Sequence, residues 1–245
     1  MAELVASRLR DDILTGRLKE GDVLPSQECL FAEFGVSPPA VREAIHILEA
    51  DGLISVRRGN VGGAVVHLPS AERTAHMISM VLQTRAATPG DVSEALLQLE
   101  PICAGMCAAR EDRMTEVVPY LRAAIDAQVE QFDTSSQYVP NARKFHEAIV
   151  SRCGNEPMIL LIGSLEVIWS AHESSVWSDD HHAGDPMEPQ TMRAALRDHH
   201  KMLDAIAEGN AARAVRLAAG HLAAARRNTL AVGKTKTIEA KLISS

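Results

Sequence analysis

DVLPSQECLFAEFGVSPPAVREAIHILEADGLISVRRGNVGGAVVH, residues 22–67, alternates short apolar periods with helix breakers. Ser26 is placed to cap a short helix over about 27–34, and Gly35 stops it. Ser37 opens a second helix with Pro38 in the first position, where an N–H lacks an intrahelical partner in any case. Val41, Ala44, Ile45 and Leu48 recur as one apolar face, and Gly52 ends the helix after Asp51. Strands over 53–57 and 64–67 flank the glycine-rich stretch 58–63, which suits a hairpin turn. Helix, tight turn, helix and a two-stranded wing make a winged helix-turn-helix.

Upstream, Leu4, Val5, Leu9, Ile13 and Leu14 keep helical spacing and predict a helix over 2–15. Downstream, Leu68-Pro69-Ser70 punctuates the chain, and everything beyond reads as helix. The spans are 71–86, 92–110, 116–132, 140–152, 156–174, 189–207 and 211–231. Thr88 and Asp91 form a capping box, and Gly154-Asn155 and Gly209-Asn210 are helix–helix turns. The expected fold is mainly α: a head with a small β wing over 1–69, an all-α bundle over 70–232, and a flexible tail over 233–245. Residues 178–186 read as a polar loop.

The bulk numbers fit a soluble globular chain of 245 residues, with 46% hydrophobic and 23% charged residues. The apolar run at 158–162 is far short of the roughly 20 residues of a membrane helix. Charges scattered through 1–16 exclude a secretion-signal core. Four cysteines without paired spacing fit a reducing cytoplasm. A net charge of −7 excludes a general polyanion binder. Residues 1–70 hold seven basic against ten acidic residues, a local balance of −3. DNA binding therefore has to rest on a few well-placed arginines.

The second helix of such a pair enters the major groove by its N-terminal end. There the outward residues are Ser37, Pro39, Ala40, Arg42, Glu43 and His46. Arg42 can grip a phosphate or read guanine bidentately, whereas Ala40 offers a methyl contact, for instance to thymine. Arg57, Arg58 and Asn60 stand at the wing, within reach of phosphates or the minor groove.

Leu24-Pro25-Ser26, Gly35-Val36-Ser37, Val41-Arg42-Glu43-Ala44-Ile45, Leu48-Glu49, Asp51-Gly52-Leu53-Ile54, Arg57-Arg58-Gly59 and Gly62-Gly63 closely resemble the GntR family. Glu94-Ala95 to Glu100, Ala108-Ala109-Arg110, Phe145-His146, Gly154-Asn155, Leu203 to Ile206 and His221-Leu222 extend the resemblance to the FadR subfamily with its FCD ligand-binding domain. It covers roughly 4–230. The resemblance implies DNA binding and adds Ser26 and Gly62 to the DNA-binding set. The sequence departs from the family at Glu28 and Pro38, both usual arginine positions.

In the bundle, three histidines stand out. About Gly209-Asn210, His199 and His221 lie on equal arms of a helical hairpin, and at about 1.5 Å rise per residue they reach the same height. His146, from a third helix, completes a trio of imidazoles suited to zinc, with nickel or manganese as alternatives. The resemblance implies the same three ligands plus an aspartate four residues before His146, where Ala142 stands here. Leu96 takes the place of a usual effector-binding arginine. Metal affinity is expected to fall below about pH 6, as imidazoles protonate near 6.5. His181-His182 with Asp179 and Asp180 read as polar loop, and Cys103 and Cys107 as small core residues.

The functional expectation is a homodimeric DNA-binding transcriptional regulator, a repressor, with a double-stranded operator, a small carboxylate effector and no membrane association. One alternative is a metal-dependent hydrolase-like enzyme, against which stands the absence of a His-Glu-x-x-His motif. The other is a helical interaction module whose winged helix contacts protein only. No pattern singles out effector-binding residues.

Overall fold

The computed structural model describes residues 1–57, 63–130, 132, 135–177, 188–232 and 237–240. The chain divides into two compact units, Met1–Ser70 and Ala71–Ser245.

The first unit holds α1 (Ala2–Leu14), α2 (Gln27–Phe34), α3 (Pro38–Ala50), β1 (Ile54–Arg57) and β2 (Gly63–Val66). Val5, Ala6, Leu9 and Ile13 of α1 meet Val41, Ala44, Ile45 and Leu48 of α3 in one apolar cluster with Leu30 of α2. Burying each large aliphatic side chain contributes about 1.5–3 kcal/mol. Ser26 accepts from the Cys29 amide at 3.2 Å and so caps α2. Gly35, at φ 61°, closes α2 in the left-handed region and lets the chain turn sharply into α3. Arg10 donates twice to one Asp51 oxygen, at 2.7 and 3.0 Å, tying α1 to the end of α3. The strands pair antiparallel, with Ile54 opposite Val66 and Arg57 opposite Gly63.

The second unit holds α4 (Ala71–Thr84), α5 (Pro89–Ala109), α6 (Arg113–Glu116), α7 (Val118–Glu130), α8 (Ser135–Ser151), α9 (Glu156–Trp177), α10 (Pro189–Ala207) and α11 (Ala211–Val232). Leu121, Ile125, Phe145, Ile149, Ile162, Ile168, Met202 and Ile206 fill its interior and are fully buried. α5 runs through the middle against α8, α9, α10 and α11. Thr88 and Asp91 form the reciprocal capping box that starts it. Gly105 is required on its α11 side, where an added Cβ would lie 2.7 Å from a Val215 methyl carbon.

The structure departs from expectation at three places. The helix expected over 116–132 is α7, Val118–Glu130, and Val117, where φ is −124° and ψ −60°, separates it from the short α6 that precedes it. Pro140, read as a helix start, lies inside α8. Part of the expected flexible tail is docked: Ile238 and Ala240 are buried, the Ile238 amide donates to the Ala87 carbonyl at 2.9 Å, and the Ala240 amide donates to Gln83 at 3.0 Å. The bond to Ala87, in the turn between α4 and α5, holds this segment where Ile238 joins the bundle core. The polar loop expected over 178–186, with its histidine pair, lies outside the described residues.

Candidate metal centre and nucleic-acid interface

α3 buries Val41, Ala44, Ile45 and Leu48 and leaves its other face to solvent. Arg42, Glu43 and His46 stand exposed on it, Ser37, Pro38 and Pro39 are exposed at its start, and Ala40 is half-buried. Ser37 occupies the N-cap but makes no side-chain cap bond. The second helical position, Pro39, has no N–H to offer it, and the third amide, Ala40, bonds the Ser37 carbonyl instead. Ser26 spends its hydroxyl oxygen as the α2 cap. Arg57 ends β1. Its side chain, and the expected wing residues Arg58, Asn60 and Gly62, lie outside the described parts of the chain.

In the bundle, His146 of α8, His199 of α10 and His221 of α11 are all buried and turn their Nε2 atoms toward one another. His199 Nε2 and His146 Nε2 each lie 3.2 Å from His221 Nε2. The equal arms about the α10–α11 turn account for the first contact. That turn runs through Gly209 at φ 74°, where an added Cβ would press on the Arg113 guanidinium at 3.0 Å. His199 also stacks on Phe145, with ring centroids 4.3 Å apart.

Two of the imidazoles are steered from behind. His146 Nδ1 donates to Glu100 Oε1 at 2.5 Å, and His199 Nδ1 to Gln128 Oε1 at 2.8 Å. His221 Nδ1 faces Asp198 at 4.0 Å. With its proton on Nδ1, neutral His199 presents a bare Nε2 lone pair. His221 Nε2 lies against both neighbours. Three ring nitrogens thus meet at hydrogen-bonding distance, and a cation at the meeting point would engage all three. Two imidazole nitrogens on one tetrahedral zinc, each at about 2.0–2.1 Å, stand roughly 3.3 Å apart, close to the spacing found. The residues fit a divalent metal.

Glu100 and Gln128 did not stand out in the sequence as site residues. Among the described residues, no carboxylate oxygen joins the three nitrogens at the meeting point, in keeping with Ala142. Glu100 instead sits in an outer position, which fixes the tautomer and strengthens the donor nitrogen. Burial alone would raise its carboxyl, but the His146 imidazole and then Arg143 hold it below the usual carboxylate range. Arg143, one turn from His146, is buried in ion pairs with Glu166 and, at 3.7 Å, Glu173. Thr229 donates to Glu173 at 2.9 Å.

Burial, with the neighbouring imidazoles, pushes His199 well below 6.5 and His221 down to about 3. Proton competition at these two nitrogens therefore sets in at lower pH than the pH 6 expected from reference values. A folding consequence follows for metal-free protein. Unfolded histidines take up protons near 6.5, whereas the folded pair stays neutral. Stability is thus complete above that value and is lost as pH falls, by up to about 1.4 kcal/mol per pH unit for each histidine. Urea unfolding in the presence of a chelator should show a clear loss between pH 7 and pH 5, smaller in His221→Gln. A pH-independent midpoint would contradict it.

Comparison with known proteins adds family evidence. The model of "Bacterial regulatory proteins, gntR family" matches residues 1–65, and that of the FCD domain matches residues 91–224. The HTH-type transcriptional repressor NanR of Klebsiella aerogenes is 25% identical over 239 residues, which span 96% of this chain and 88% of the relative. The HTH-type transcriptional regulator Mce2R of Mycobacterium tuberculosis is 48% identical over 59 residues, 24% of this chain and 25% of the relative. A solved structure described as Streptococcus agalactiae GntR has the same fold, with a TM-score of 0.70 at 20% identity, over 93% of this chain and all of that one.

Proposed function

Because the chain belongs to the GntR family of bacterial regulatory proteins, with an FCD domain behind its helix-turn-helix, we propose that it is a repressor controlled by a small organic acid bound at a metal centre on His146, His199 and His221. That it is a DNA-binding transcriptional regulator with an effector-binding domain follows from its family and relatives. Repression is supported by the name that the NanR relatives carry. Residues 1–69 serve as the DNA-binding head and 70–232 as the sensing and dimerisation domain. No helix among the described residues is long and apolar enough to cross a membrane.

The observation that carries the metal reading is the convergence of three Nε2 atoms at 3.2 Å steps, two of them held from behind through Nδ1. Neutral nitrogen donors suit zinc best, then nickel; manganese prefers more oxygen. A bound dication supplies a centre of positive charge that accepts a carboxylate oxygen. The three imidazoles orient that centre without neutralising it, and Ala142 leaves free the position of a fourth protein ligand. An acid bound there shifts the balance between DNA-binding and released states by its unequal affinity for the two. Arg42, with Ser26, Ser37, Ala40, Arg57, Arg58, Asn60 and Gly62, makes the DNA contact. One head brings few cations to DNA, so a homodimer on a two-fold-symmetric operator is required.

The test uses untagged, zinc-loaded protein and fluorescence anisotropy on DNA from upstream of its own gene. Mono- and dicarboxylic acids are added with and without a chelator, and light scattering reports the oligomer. An acid that weakens DNA binding only while zinc is present supports the reading. An acid response unchanged by chelation would remove the metal from it.

A further inference from the structure

The start of α3 is built almost without hydrogen-bond donors. Pro38 and Pro39 fill its first two positions and have no N–H. The next two amides, Ala40 and Val41, both turn back on the Ser37 carbonyl, at 2.9 and 3.3 Å. Of the first three helical amides, which an ordinary helix leaves free for an anion, two are missing and the third, that of Ala40, is engaged. No basic residue lies between Lys19 and Arg42 in the chain.

What this end does offer is apolar and rigid. Both pyrrolidine rings are exposed, the Ala40 methyl is half-exposed beside them, and the Ser37 hydroxyl is the one polar group. The rings have little rotational freedom to lose on binding, so their contact area carries little ordering cost. In the major groove, the base-edge feature that an apolar surface distinguishes is the C5 methyl of thymine.

We infer, resting on the DNA-binding reading above, that Pro38, Pro39 and Ala40 are specificity-determining residues that select thymine methyl groups in each half of the operator. Arg42, one turn further along α3, supplies the polar contact beside them. The same surface accepts a methyl on cytosine, because only the methyl is read.

The experiment starts from the full-length protein selecting its site out of random duplex DNA. The selected operator is then resynthesised with each thymine in turn replaced by deoxyuridine, which removes the methyl and keeps every hydrogen-bonding group. One or two positions in each half-site should lose about fourfold in affinity, the worth of one buried methyl group. Those positions should become indifferent to uracil in Pro38→Ser/Pro39→Ser/Ala40→Ser, which removes all three apolar surfaces. Where cytosine replaces such a thymine, 5-methylcytosine should restore affinity by a similar factor. Wild-type protein that tolerates uracil throughout the half-site overturns the inference without recourse to the variant. A variant with undiminished sensitivity to the missing methyl also overturns it. Failure to select any sequence is a different result and overturns the DNA-binding reading along with this one.

Discussion

Replacing His199 by alanine should lower zinc affinity by more than about 100-fold. Substituting a residue that merely orients a ligand typically costs 10- to 100-fold, and His199 is a ligand itself in this reading. Its Nε2 lies 3.2 Å from that of His221 and its Nδ1 is held by Gln128. Two nitrogens would remain, without a carboxylate at the meeting point. Glu100→Gln provides the graded comparison. It keeps all three nitrogens but removes the charge behind His146, and should fall in the 10- to 100-fold range. Elemental analysis followed by zinc titration of the three proteins checks both values. Since His199 also stacks on Phe145, a thermal melt of the metal-free variants separates lost packing from lost coordination. Equal, weak uptake by wild type and His199→Ala would make the trio an ordinary buried cluster.

Arg42→Ala should weaken operator binding by about 1–3 kcal/mol for each head, roughly 5- to 150-fold. Arg42 is the one basic residue of α3 and is exposed two residues beyond Ala40. The prolines have removed backbone donors that would otherwise share its task. A guanidinium reading guanine gives a position-specific loss, visible as relaxed preference at one base pair. A guanidinium on phosphate gives a uniform loss and a shallower salt dependence. Gel shifts at two salt concentrations decide between them. Unchanged affinity in a folded variant would move DNA recognition off this helix.

The parts of this molecule that were legible in its sequence are those governed by local periodicity. The head could be read because Ser26, Gly35, Pro38 and Gly52 act on their own neighbours. His199 and His221 could be paired because a helical hairpin converts equal sequence distances into equal heights. Local rules also misled: Pro140 looks like a helix start, yet α8 begins at Ser135 and carries it inside. Glu100 was hidden for the opposite reason. It lies in an otherwise apolar stretch of α5, and only the packing of α5 on α8 brings it to His146, 46 residues away. Ile238 shows the same limit, since its recess is formed by residues of other helices.

The trio is drawn from helices far apart in the chain, with 22 residues between His199 and His221 and 75 between His146 and His221. An unfolded chain therefore has no such centre, and a metal held there favours the folded form by mass action. The gain is about 4 kcal/mol when the free ion exceeds its dissociation constant a thousandfold. Proteases remove chains in proportion to how often they open. Under the proposed reading, scarcity of the ion would then shorten the lifetime of the regulator, so that a starved cell would hold fewer copies and relieve its targets through abundance as well as affinity. A pulse-chase half-life that shortens under chelation for the wild type, but not for His199→Ala, is the signature of that second route.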